Sequence, residues 1–361
     1  MKGLKQTLKE VAEQGATLRR DEARHLLAEI LTSEPGEVDL EIAALLTAFA
    51  TQGETVEELT GFAEAMRSRS LPIPLTDVER AALVDTCGTG GDGCGTFNIS
   101  TGAALVAVAA GAKVAKHGNR AVTSYCGSAD VLEAMGVPVA LGPEQAVECL
   151  RATGFMFLYA PALHPALKRV QGIRRALGFR TIFNLAGPLT NPAGAPAQVM
   201  GVYSGARVSL VAETMARLGV RRAFVVHGLD GLDELTLCDQ SSVAEVRQST
   251  ERRAQGSGCS VRLFRVSPED AGLPRATLAD LKGPHSAEEN SALLDHIFSG
   301  EPGPRRDIVL LNAAAALVAA NIAGDLKEGV ARGGDAIDSG GVEGVVGKLR
   351  EFARSVAAPV R

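Results

Sequence analysis

The sequence predicts an α/β protein with a small helical N-terminal domain at residues 1–70 and a larger α/β domain at 75–361 built on a central, largely parallel sheet. Three observations carry this. Helical stripes fill the first 70 residues, the prolines of LPIP interrupt the pattern at 71–74, and strand-like apolar runs then alternate with helices. A hinge is expected at 71–74, where each proline biases the residue before it towards an extended backbone.

In the helical part, Ala23, Leu26, Leu27, Ile30 and Leu31 form one stripe. Ile42, Leu45, Leu46 and Phe49 form a second, and Val56, Leu59, Phe62 and Met66 a third. Each is apolar on one face and charged elsewhere, which suits a small bundle or a subunit interface. Beyond the hinge, strands are expected at Ala81–Asp85, Ala112–Lys116, Phe155–Tyr159, Gln198–Tyr203, Arg222–His227 and Val261–Arg265. Pro143 at the start and Gly154 past the end bracket a helix over 143–152. His164 to Leu177 reads as a basic helix with Lys168, Arg169, Arg174 and Arg175. Pro, Gly and Asn make 181–192 irregular, 308–323 is an Ala-rich helix, and an amphipathic helix lies near 342–354.

The bulk numbers narrow the function classes. A hydrophobic fraction of 46% with 22% charged residues is ordinary globular composition. A net charge of −5 argues against a nucleic-acid protein with a broad basic face. The N-terminus lacks a signal-peptide apolar core, and the apolar runs at 101–112 and 308–323 fall short of the roughly 20 residues that cross a membrane. Cys87, Cys94, Cys126, Cys149, Cys238 and Cys259 show no C-x-x-C pair, so reduced thiols and a cytoplasmic location are expected.

Residues 85–136 concentrate the chemistry. A loop with Gly at 88, 90, 91, 93 and 95 leads into a helix expected near Ser100. No acidic residue occurs between Asp92 and Asp130, while Lys113, Lys116 and Arg120 add three positive charges, so an anion is expected there. Gly88-x-Gly90-x-x-Gly93 matches the dinucleotide fingerprint in letters, but Lys113 stands where an acid should hold the ribose. The triphosphate loop fails because Cys94 follows Gly93 in place of Lys. What remains is a backbone nest with Asn98, Ser100 and Thr101 at a helix N-terminus, where orphan N–H groups favour phosphate. The plain alternative is that Ser100 only caps its helix. Downstream, HGLDGLDEL at 227–235 sets Asp233 and Glu234 just beyond a strand, as a solvated turn or as hard oxygen ligands for Mg²⁺ beside substrate phosphates.

Taken together, the motifs resemble the anthranilate phosphoribosyltransferases. They are GETVEEL (53–59), GTGGDG (88–93), TFNIST (96–101), KHGNR (116–120), GSADVLEAMG (127–136), HPALKRVQGIRRALG (164–178), FNLAGPLTNPA (183–193), Asp233-Glu234 and LLNAAAAL (310–317). The resemblance implies a nucleoside phosphorylase/phosphoribosyltransferase-type fold, with a segment near 163–190 joining the helical domain. It implies transfer of the 5-phosphoribosyl group of phosphoribosyl pyrophosphate to the amine of anthranilate in tryptophan biosynthesis. Phosphoribosyl pyrophosphate is then expected at Gly88, Gly91, Asp92, Thr96, Asn98, Ser100, Thr101, Lys116, His117, Gly118, Asn119, Ser124 and Ser128. Anthranilate is expected at Gly88, Asn119 and Arg174 with His117 and His164, and Mg²⁺, as two ions, at Ser100, Asp233 and Glu234. A homodimer through the helical domain is also implied, with no acid or base assigned. Two departures stand out: Ser124-Tyr125-Cys126-Gly127 replaces a frequent Ser-Lys-Ser-Gly, and Gly172 replaces a common Pro. Rival readings are a pyrimidine nucleoside phosphorylase-like enzyme and a nucleic-acid-binding relative that has lost catalysis.

Overall fold

The computed structural model describes residues 3–121, 125–248 and 258–357. Four helices open the chain: α1 (Leu4–Gln14), α2 (Arg20–Thr32), α3 (Asp39–Gln52) and α4 (Val56–Arg67). Their stripes close on one another around Leu27, Ile42, Leu46, Phe49 and Phe62, all at most 1% exposed. Buried Glu58 ties the entry to α4: its carboxylate accepts the Thr55 N–H at 2.8 Å and the Leu18 N–H at 2.9 Å. The N-terminal core is not sealed off. It continues through Ile182, Phe183 and Leu185 onto one sheet face at Met200, Val202, Val225 and Ala244.

The sheet has seven strands in the order β3-β2-β1-β4-β5-β6-β7. They are β1 (Leu83–Gly88), β2 (Lys113–Gly118), β3 (Phe155–Tyr159), β4 (Ala197–Gly201), β5 (Arg222–Gly228), β6 (Ser241–Gln248) and β7 (Cys259–Val266). The first five run parallel, and β6 and then β7 are added by antiparallel pairing. The other sheet face is covered by apolar helices at Ile99–Ala109 and Pro304–Ala319.

Several expected elements shift. β6 was not anticipated, because SSVAEVRQ dilutes its alternation with Ser, Ala and charge; its buried residues are Ser241, Val243, Ala244 and Val246. The expected basic helix from 164 to 177 is broken: a short turn of helix ends at Leu163, a 3₁₀ turn follows over Pro165–Leu167, and the α-helix proper is Lys168–Leu177. Pro165 has no N–H to continue the ladder, which explains the break. β1 starts two residues later than expected and runs on to Gly88, delivering the glycine loop directly from the sheet.

The switch in strand order lies between β1 and β4, the place where open α/β sheets form a ligand crevice beyond their carboxyl ends. Here the chain approaches itself closely. A Cβ on Gly201, at the end of β4, would lie 1.5 Å from the Asp233 carbonyl oxygen. Gly201→Ala should therefore push the 229–236 turn outward, at about 1–3 kcal/mol for the overpacking. Thermal unfolding of the variant checks this, and an unchanged Tm would contradict the close approach.

Candidate active site

At the carboxyl ends of β1 and β2 lies a cleft of about 510 Å³. It is walled on one side by the glycine loop and on the other by Leu167, Arg174, Phe183 and Asn184. Gly90, Gly91, Gly93 and Gly95 all have positive φ, a backbone path that L side chains rarely follow. The Gly90 N–H donates to Asp233 Oδ2 at 2.8 Å. Behind the loop, the helix Ile99–Ala109 starts with Asn98 as its first flanking residue, and no side chain caps it. Ser100 is thus not a cap. Its hydroxyl instead accepts a 3.2 Å hydrogen bond from Lys116 Nζ.

Lys116 is 1% exposed. Its ammonium also donates to the Thr86 carbonyl, and burial lowers its pKa against the opposing field of Asp85. The other two basic residues of the acid-free stretch offer it no free charge, although Arg120 borders the cleft. Arg120 is neutralised by Asp130 and Glu133 at 3.0 and 2.8 Å, and Lys113 is exposed at the opposite end of β2. The cleft takes its remaining positive charge from Arg174 and Arg180, which lie well away in sequence.

Arg174 lies over the Phe183 ring with its guanidinium carbon 5.2 Å from the centroid. Burial lowers its pKa, and none of the described carboxylates forms an ion pair with it. A half-buried guanidinium without a counter-ion favours an anionic ligand. Arg180 was not anticipated as a site residue. It donates to the Gly91 carbonyl and stacks 4.3 Å over Tyr203, joining the segment after the basic helix to the glycine loop. Its only sequence signal is one more Arg after a basic helix, which is indistinguishable from a solvated face.

His117 and His164 face each other with ring centroids 5.2 Å apart. Burial first, then the neighbouring His164 and Lys116, pulls His117 down to about 3; burial pulls His164 down to about 4. Both rings are neutral at pH 7. Among the described residues, the buried polar atoms on the cleft wall without a hydrogen-bond partner include Asn98 Oδ1, Thr101 Oγ1 and His117 Nε2. Such orphans are costly unless a ligand satisfies them.

Asp233 and Glu234 form the acidic side. Burial, then the charge of Asp92, pushes Asp233 up to about 7, and burial followed by Asp233 pushes Glu234 up to about 8. Among the described residues no group of three or more His, Cys, Asp or Glu makes a ready metal cage. Two carboxylates with the Ser100 hydroxyl nearby nevertheless fit Mg²⁺, which keeps waters and borrows substrate phosphate oxygens.

Every expected site residue among those described lines this one cleft: Gly88, Gly91, Asp92, Thr96, Asn98, Ser100, Thr101, Lys116, His117, Gly118, Asn119, Ser128, His164, Arg174, Asp233 and Glu234. Ser124 lies outside the described residues. Ser128 Oγ donates to the Asn119 carbonyl at 3.2 Å, fixing the turn after β2.

Known proteins with this architecture agree with one another. Residues 80–342 match the model of the glycosyl transferase family α/β domain, and residues 5–70 that of its helical bundle domain. Anthranilate phosphoribosyltransferase of Symbiobacterium thermophilum is 47% identical over 98% of this chain and 99% of its own. The crystal structure of anthranilate phosphoribosyltransferase from Thermus thermophilus superposes with a TM-score of 0.85 at 41% identity, covering 96% of this chain and 99% of that one. The Saccharomyces cerevisiae enzyme in complex with phosphoribosyl pyrophosphate and Mg gives 0.85 at 26% identity, covering 98% of each chain, and another of its structures contains 4-fluoroanthranilate. With both domain models matched and relatives aligned along nearly its whole length, the chain belongs to the anthranilate phosphoribosyltransferase family.

Proposed function

We infer that the protein transfers the 5-phosphoribosyl group of phosphoribosyl pyrophosphate to the amine of anthranilate, releasing pyrophosphate, as a Mg²⁺-dependent step of tryptophan biosynthesis. The observation that carries this reading is one cleft with an unpaired Arg174 at one end and the glycine loop, Lys116 and two carboxylates at the other. That polarity matches a small aromatic acid facing a polyphosphate.

The aromatic amine of anthranilate is neutral at pH 7, so its lone pair needs no base to expose it. This suits the neutral His117 and His164, which line the acceptor side with ring nitrogens able to hydrogen-bond the amine. Arg174 pairs with the acceptor carboxylate and fixes the ring near Phe183, while Asn119 and Gly88 border the same space. Lys116, Ser100, Asn98, Thr101 and the 88–93 amides hold the phosphates. The ribose C1–oxygen bond breaks with its electron pair leaving on pyrophosphate, the C1–nitrogen bond forms, and the amine proton passes to solvent. Asp233 and Glu234, with Ser100, would hold Mg²⁺, expected as two ions, which when bound would supply neutralisation of the leaving pyrophosphate. Catalysis is then chiefly positioning and electrostatic stabilisation.

The same reading sets the hinge at 71–74 and in the segment near 163–190, where the Leu71 N–H donates to the Leu163 carbonyl at 2.9 Å. The helical domain at 1–70 is joined there to the α/β domain at 75–361, and it pairs two subunits in a homodimer, a role supported by Leu40, 84% exposed on α3. Six free cysteines support a reducing, cytoplasmic setting.

The direct test is loss of anthranilate fluorescence with phosphoribosyl pyrophosphate, with and without Mg²⁺; no turnover with the metal present would refute the reading. Arg174→Ala should raise KM for anthranilate roughly ten- to hundredfold, the value of a charge-assisted hydrogen bond at ~1.5–3 kcal/mol. KM for phosphoribosyl pyrophosphate should change little, and parallel rises in both would remove Arg174 from the acceptor site. The acidic pair predicts a pH effect. Because the folded protein holds protons on Asp233 and Glu234 above the ordinary carboxylate range, its metal-free stability falls as pH rises from that range through about 7 and 8. Mg²⁺ must displace those protons, so its binding should strengthen with pH through this window. Calorimetric titration with Mg²⁺ in two buffers of different ionisation heat should show proton release near neutrality; equal apparent heats would contradict it.

A further inference from the structure

The FNLAGPLTNPA motif supplies more than a wall. β1 and β2 are paired only at Leu83 with Lys113 and at Val84 with Val114. Beyond that point β1 stays paired with β4 as far as Gly88, and β2 stays paired with β3 as far as Gly118. Each strand keeps its outer neighbour and parts from its inner one.

Two polar side chains fill the opening. Asp85 Oδ1 accepts the His117 N–H at 3.1 Å, taking the place of a β1 main-chain acceptor. Asn191 Nδ2 donates to Asp85 Oδ2 at 2.9 Å and to the Ala115 carbonyl at 2.8 Å, bridging β1 and β2. Its own Oδ1 accepts the Ala193 N–H at 2.9 Å, which fixes the carboxamide from behind. Asp85 is fully buried and Asn191 is 7% exposed. A buried carboxylate in an otherwise apolar strand is expensive, and a continuous ladder would cost less. The Lys116 side chain uses the gap: it crosses from β2 to donate to the Thr86 carbonyl on β1 and to Ser100 Oγ at 3.2 Å.

We propose that Asp85 and Asn191 are positioning residues that wedge β1 and β2 apart and thereby set the Lys116 ammonium and the Ser100 hydroxyl at the phosphate end of the cleft. This rests on the phosphoribosyl transfer reading and adds to it two residues that touch no substrate. The effect is one-sided. His117 is also held from the other side by its pairing with Leu158 of β3, whereas the Lys116 side chain itself lies across the opening, so loss of the Asn191 bridge should act first on the Lys116 amine.

The test is steady-state kinetics of Asn191→Ala for both substrates, with thermal melts in the presence and absence of phosphoribosyl pyrophosphate plus Mg²⁺. KM for phosphoribosyl pyrophosphate should rise roughly tenfold or more, as for loss of one charge-assisted hydrogen bond. KM for anthranilate should stay within about twofold, and the melting shift given by phosphoribosyl pyrophosphate should shrink or vanish. Unchanged KM values with a lowered Tm, or equal rises for both substrates, would reduce the wedge to a purely structural feature and overturn the proposal. If Asn191→Ala does not fold, Asn191→Ser keeps a donor at shorter reach and is read by the same split. A melting shift with phosphoribosyl pyrophosphate in the unsubstituted protein is the control: its absence would refute phosphoribosyl binding itself, separately from any effect of the variant.

Discussion

The structure depends on keeping charge out of bulk water at one edge of a sheet. Lys116, Asp233 and Glu234 line the carboxyl-terminal crevice with Asp85 buried behind them, and for the carboxyl groups and the amine alike burial works against the charged form. Such groups persist only where hydrogen bonds and opposite charges hold them. Each local oddity nearby answers that need. The glycine loop turns its Gly90 amide to Asp233, Asn191 leaves its own segment to reach Asp85, and Lys116 lies across a split ladder.

The need explains why the two parts of the molecule are not independent. The segment carrying Asn191 is also gripped by Arg67 from α4, whose Nε donates to the Leu189 carbonyl at 2.8 Å, and by Arg80, which donates to the Ala193 carbonyl. The helical core runs on through Phe183 and Leu185 to the sheet. Arg174 and Phe183 therefore reach the cleft from the same structure that buries the N-terminal helices. The acceptor end is built by the helical side and the phosphate end by strand ends.

Much of this was legible in the sequence where the signal was local. The glycine run, KHGNR and the Asp-Glu pair each announce their chemistry within a dozen residues, and the strand and helix periods around them gave the α/β class. Reasoning failed where partners are distant. The acid-free stretch looked like three cations for one anion, but Arg120 is matched by Asp130 and Glu133, just past the stretch, and Lys113 sits at the wrong end of its strand. Arg180 and Asn191 meet partners 89 and 106 positions away, and no spacing rule reaches so far. Asp85 did leave a trace, an acid inside an apolar strand, and that inconsistency is the kind that marks a functional position.

Under the proposed function, the hydrogen bond from the Gly90 amide to Asp233 also couples the two ligands expected at that end of the cleft. In the free protein a donor suited to phosphate is occupied by an acceptor suited to a cation, so each half of the site is its partner's competitor. Recruiting Asp233 to a cation frees the amide, and drawing the amide to a phosphate frees the carboxylate. By linkage the two affinities must rise together and by the same factor. On the proposed roles, synergy between metal and polyphosphate would be expressed through this 2.8 Å contact.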